Sequence, residues 1–173
     1  MKIIQYPNRI LRQVCQSVEI NKETKKIVEA LTEGLNKSPK EGIGLSAPQI
    51  GKAKRVYIAR KIIVEGDREI YKNIVFINPT IIKKSKSKTS SLEGCLSIKD
   101  TYGYVERSKS IKVSYTDEYN TKKVITTGGY LSLVIQHEQD HLEGVLFIDK
   151  LVGGKKYTEA EIDKKLQEET SNY

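Results

Sequence analysis

The chain has 173 residues, 38% of them hydrophobic and 30% charged, with a formal charge of +8, two cysteines and two histidines. This length suits one compact domain over residues 1–173, and no apolar run approaches the roughly 20 residues that span a bilayer. The N-terminus, MKIIQYPNRILRQVCQ, lacks the apolar stretch and cleavage site of a secretory signal, so a soluble, cytoplasmic protein without membrane contact or disulfide is expected.

From Asn21 to Leu35, the residues Ile27, Val28, Leu31 and Leu35 fall on one helical face, with Asn21 as N-cap. An irregular glycine-rich stretch, EGIGLSAPQIG, follows. Short β-branched runs then read as strands: VYIA (56–59), KIIVEG (61–66), NIVFINP (73–79) and PTII (79–82). KKSKSKTSS (83–91) has no periodicity and reads as a loop or a solvated edge strand. Strands over Ile111–Tyr115 and Lys123–Thr127 flank TDEYN, whose turn chemistry predicts a hairpin. Gly128 and Gly129 break that strand, and helical spacing returns from Tyr130 through Leu131, Val134, Ile135 and Leu142, with Gly144 near the end. Thr158 and Glu161 have capping-box spacing and open a short charged helix carrying Ile162 and Leu166.

Both histidines lie in QHEQDHLEG (Gln136–Gly144). On a helix, positions four apart share a face, so His137 and His141 can converge on one ion at about 2.0–2.1 Å. Glu138 lies beside them, where a carboxylate takes a proton from an attacking water, as in HExxH hydrolases. Asp140 faces away from the shared side and supports the site by hydrogen bonding or a salt bridge. A third ligand is needed. Glu159 or Glu161 on the following helix would suit a zincin-like site, although helix-start chemistry already explains both; Cys95 in SLEGCLS is the alternative.

Three segments in this order, GIGLSAPQIG (42–51), EGCLS (93–97) and QHEQDHLEG (136–144), with FINP (76–79) between the first two, resemble the peptide deformylases. The resemblance implies that Cys95, His137 and His141 hold one divalent ion, usually Fe(II), with Zn(II) or Ni(II) as alternatives of suitable softness. It implies an α+β fold with antiparallel β-sheets packed around a central metal-bearing α-helix, an N-terminal helix and a short C-terminal helix. The implied reaction removes the N-formyl group from the initiator methionine of new polypeptides and releases formate. Glu138 would be the base and then the acid. The Gln49 side-chain amide and the Leu96 backbone N–H would stabilise the oxyanion.

The same resemblance implies that the backbone around Ile43 and Gly44 pairs with extended substrate, and that Glu93 and Gly94 contact it. Tyr130, Leu133 and Val134, with Ile43, are the candidates for the methionine pocket. Three departures stand out: Lys99 and Asp100 follow Ile98 where relatives commonly carry proline, Tyr102 replaces a frequent arginine, and Ser46 replaces a commoner alanine. The first two bear on distal substrate contacts and leave the proposed ligands intact, and the exchange at Ser46 is small. Work on nascent chains, together with the positive charge, implies a weak ribosome contact without recognition of a specific nucleic acid sequence. The rival readings are a metallopeptidase using Glu159 or Glu161 and a basic RNA-binding module with a structural metal.

Overall fold

The computed structural model describes residues 2–38, 42–66 and 68–170. The Asn21 side chain opens α1 (Lys22–Lys37) by accepting the N–H groups of Glu23 and Thr24 at 2.9 and 3.1 Å, satisfying two of the donors that every helix start leaves unpaired. Seven strands follow: β1 (Gly44–Ser46), β2 (Val56–Glu65), β3 (Arg68–Lys84), β4 (Lys88–Cys95), β5 (Ile98–Ser108), β6 (Ser110–Thr116) and β7 (Lys122–Gly128). The chain ends in α2 (Gly129–Leu142) and α3 (Glu159–Thr170). Among the described residues, the seven strands pair antiparallel throughout; one sheet runs β1-β2-β3-β6-β7 and β4-β5 form the second. The fold is α+β.

The first five residues of β2 are all buried because this part of the sheet is covered on both faces. Val56 and Ile58 pack against Ile27, Leu31 and Leu35 of α1. Tyr57 and Ala59, pointing the opposite way, pack with Leu131, Val134, Ile135 and Leu142 of α2. A third cluster, Leu11, Ile98, Val105, Leu146 and Phe147, lies against the small sheet. Helix α2 therefore carries apolar residues on the side facing the large sheet, and the histidines turn toward β4. Gly129, at φ 57°, makes the abrupt change from β7 into α2 in a conformation that side chains rarely adopt.

Several expectations need redrawing. VYIA and KIIVEG are one strand, as are NIVFINP and PTII; Asn78, at φ 49°, interrupts the latter's register and holds Val18 N–H and C=O through its side chain at 2.9 and 2.7 Å. KKSKSKTSS divides between the end of β3 and the start of β4. The β4-β5 hairpin had no counterpart in the sequence reading, because β4 is built from small polar residues that alternate only between exposed and half-buried. The β6-β7 hairpin forms as expected.

The capping box of α3 is present, with Thr158 N–H donating to Glu161 Oε2 at 2.7 Å and Glu161 N–H to Thr158 Oγ1 at 3.3 Å. Ile162 is buried, whereas the Leu166 side chain lies outside the described residues. Asp100 takes the Glu159 N–H at 2.8 Å, and Tyr102 and Tyr157 exchange backbone hydrogen bonds at 2.8 and 2.9 Å. Two of the departures thus help attach α3 to β5. Among the described residues, no helix is long and apolar enough to cross a membrane.

Candidate metal centre

Helix α2 brings His137 and His141 onto one side, their ring centroids 5.0 Å apart. Cys95 reaches them from the end of β4, where Leu96 and Ser97 turn the chain into β5. One ligand atom from each of Cys95, His137 and His141 lies within 4.8 Å of the others. Cys95 Sγ is 3.3 Å from His141 Nε2. Among the described residues, Glu159 and Glu161 take no part in this cluster, and the Glu161 carboxylate is engaged by Thr158 at the start of α3. Among the described residues, the candidate third donor is Cys95.

The donor set fits a divalent ion. His137 Nδ1 is engaged with Glu93 Oε2 at 2.9 Å, which leaves Nε2 for coordination, the usual arrangement for a metal-bound imidazole. His141 Nδ1 is buried without a partner. Burial by itself would lower the His137 pKa, yet Cys95, Glu93 and Glu138 hold it well above the ordinary value. His141 is pushed the other way by burial and by His137 and Arg107. One thiol and two imidazoles drawn together in a largely buried group are a donor set suited to a divalent cation.

Arg107, 4% exposed on β5, organises the outer side of the centre. It pairs through Nε with Glu93 Oε1, donates from Nη2 to Glu93 Oε2 at 2.8 Å, and from Nη1 to Asp140 Oδ2 at 2.8 Å. Lys150 completes the chain on Asp140 Oδ1 at 2.7 Å. Burial would raise the Glu93 pKa, but the bonds from Arg107 and His137 bring it to about 2. The Glu93 carboxylate is therefore turned to His137 and Arg107, where it orients the His137 ring.

The inner side is different. Glu138 is 3% exposed, its Oε2 has no partner, and burial lifts its pKa to about 7. A Cβ on Gly44 would collide with the Glu138 carboxyl, so β1 approaches the helix closely only because position 44 has no side chain. Gln49 is 1% exposed and points Nε2 at Cys95 Sγ, 3.5 Å away, and at Ser97 Oγ, 3.2 Å away. The N-terminal segment ties these loops together: Ile4 N–H binds Gln49 O at 2.8 Å, Gln5 Nε2 binds Leu96 O at 3.0 Å, and Tyr6 N–H binds Ser97 O at 2.8 Å.

β1 is an edge strand. Ile43 O is committed to Arg60 N–H at 2.8 Å, so alternation turns the Gly44 backbone groups toward the free edge. Ile43, Tyr130 and Leu133 are half-buried, with the Tyr130 hydroxyl donating to Arg60 O at 2.6 Å, whereas Val134 belongs to the core cluster under the site. Gly94 lies beneath the Tyr102 ring.

The family profile described as polypeptide deformylase matches residues 1–157. The chain belongs to the peptide deformylase family. It is 36% identical over 171 residues to the peptide deformylase of Pelagibacter ubique, covering 98% of this chain and 95% of that one. A probable peptide deformylase from Synechococcus phage S-SSM7 superposes with a TM-score of 0.78 at 38% identity, over 87% of this chain and 99% of that one. The Thermotoga maritima peptide deformylase gives 0.74 at 32% identity, over 87% and 97%. The protein is an enzyme of the deformylase class, and the Cys95, His137 and His141 group could hold a metal ion, which is consistent with metal use by such an enzyme.

Sequence reasoning missed Arg107, Ser97 and the N-terminal ties. Nothing near Arg107 in VERS marks it, because its partners lie 14 and 33 positions away.

Proposed function

We propose that the protein is a metal-dependent hydrolase that removes the formyl group from the initiator methionine of newly made polypeptides, with residues 1–173 forming one catalytic domain. The observation that carries this reading is the convergence of Cys95, His137 and His141 atoms within 4.8 Å, beside a buried Glu138. These three residues would hold Fe(II), with Zn(II) or Ni(II) as substitutes of similar ligand preference. Such an ion, when bound, lowers the pKa of water and polarises a carbonyl.

Glu138 takes the proton of the attacking water and returns it to the leaving amine. Its elevated pKa of about 7 suits a group that must both accept and release. Gln49 Nε2 and the Leu96 N–H donate to the oxyanion, a contribution typically worth about 10² to 10³ in rate for a single donor. The substrate backbone extends the sheet at Gly44, beside Ile43 and Gly94. Tyr130 and Leu133, with Val134 behind them and Ile43 opposite, line the methionine pocket. The enzyme works in the cytoplasm, and its basic surface makes a weak, sequence-independent contact with the ribosome.

Protein prepared without oxygen should contain about one equivalent of metal per chain and release formate from a formyl-methionyl peptide. Cys95→Ala should lose both metal and activity, while Glu159→Ala and Glu161→Ala keep them. The opposite pattern would support the metallopeptidase reading instead. Absence of formate release by the metal-loaded protein would refute the proposal.

A further inference from the structure

Ser46 closes β1 and is fully buried. Its Oγ donates to Gln49 Oε1 at 2.9 Å, and its backbone N–H donates to the same oxygen at 2.8 Å. The backbone N–H decides which way round the carboxamide sits, because turning it over would set the amide hydrogens against it, and the hydroxyl adds a second donor to the same oxygen. With Oε1 held there, Nε2 can only face Cys95 Sγ and Ser97 Oγ, at 3.5 and 3.2 Å.

Strand geometry brings Ser46 to Glu138 as well. Gly44 and Ser46 are two apart on β1, so their side-chain positions share a face, and at Gly44 that face abuts the Glu138 carboxyl. One hydroxyl thus holds the amide assigned to the oxyanion and neighbours the carboxyl assigned to the proton.

We propose that Ser46 is a positioning residue for deformylation, its hydroxyl reinforcing through Oε1 the hold on the Gln49 amide and strengthening Nε2 as a donor beside Glu138. The proposal rests on the roles given above to Gln49 and Glu138. Alanine would keep the backbone bond to Oε1 and lose only the hydroxyl. An amide donates more strongly when its own oxygen accepts a hydrogen bond, so losing Oγ weakens Nε2 where charge develops in the transition state. The ground-state substrate does not meet Ser46, so KM should stay constant.

The test is steady-state formate release, per bound metal, by wild type, Ser46→Ala, Ser46→Cys, Gln49→Leu and the Ser46→Ala/Gln49→Leu double variant, with melting temperatures alongside. Ser46→Ala should lower kcat roughly three- to tenfold, the range set by the net worth of one hydrogen bond, with KM within about twofold. Ser46→Cys, which keeps the volume and lacks a strong donor, should follow it. In the Gln49→Leu background the loss should disappear, since the hydroxyl then has no amide to hold. Equal losses in both backgrounds would assign Ser46 to general stability, as a cap of the Ala47–Ile50 turn, and overturn the proposal. So would full activity in Ser46→Cys, or a Ser46→Ala kcat equal to wild type. A wild type that releases no formate sinks the parent reading and this proposal with it, whereas an active wild type matched by Ser46→Ala sinks this one alone.

Discussion

The two sides of His137 are built on opposite rules. Outside it, Glu93, Arg107, Asp140 and Lys150 form a continuous chain of paired charges. Inside it, Glu138 Oε2 and His141 Nδ1 are buried without partners. Buried polar atoms are ordinarily satisfied, so on the proposed mechanism the contrast separates a half that fixes geometry from a half left open for chemistry. The paired half fixes how His137 is turned. On the proposed mechanism, Glu138 in the unpaired half is the group whose partner changes during the reaction.

The largest expected break in this contrast is Arg107→Ala. It would leave Glu93 and Asp140 charged in a buried setting, at a cost of about 3–5 kcal/mol, read as a lower denaturation midpoint in urea. A loss below about 1 kcal/mol would mean that the network is not holding the structure together. Glu93→Gln is milder, keeping an acceptor for His137 while removing the charge. Metal affinity should fall about 10- to 100-fold, measured by competition with a chelator; unchanged affinity would deny Glu93 its orienting role.

The smallest effect lies at the surface, where Arg12 pairs with Asp149. The Arg12 hydrogen bond lowers the Asp149 pKa, so this contribution to stability is complete above the unfolded carboxylate value of about 3.9 and is lost as pH falls through the lower folded value. Because both side chains are 37% exposed, it is worth at most about 1 kcal/mol. The stability gap between wild type and Asp149→Asn should be visible at neutral pH and close in acid. A gap independent of pH would show that the carboxylate charge is not its source.

The same contrast explains how much could be read from the residues in order. Helix α2 was legible because its apolar spacing, its breaking glycines and the His137–His141 interval are all local signals. Helix α1 was legible from Asn21 and its apolar face, and β6-β7 from the turn between them. The Glu93–Arg107–Asp140 chain was not, since it depends on β4, β5 and α2 meeting in space. Nor was the link from Gln5 to Leu96, 91 positions apart. Ser46 looked like a minor exchange for alanine, and only its burial against Gln49 gives it a role.

The division of labour is tested most directly by Glu138→Ala, assayed for bound metal and for formate release from a formyl-methionyl peptide. Glu138 is not a ligand and sits on the unpaired side, so the variant should keep its metal and fold while turnover falls about 10²- to 10⁴-fold. Full turnover with metal bound would contradict the account.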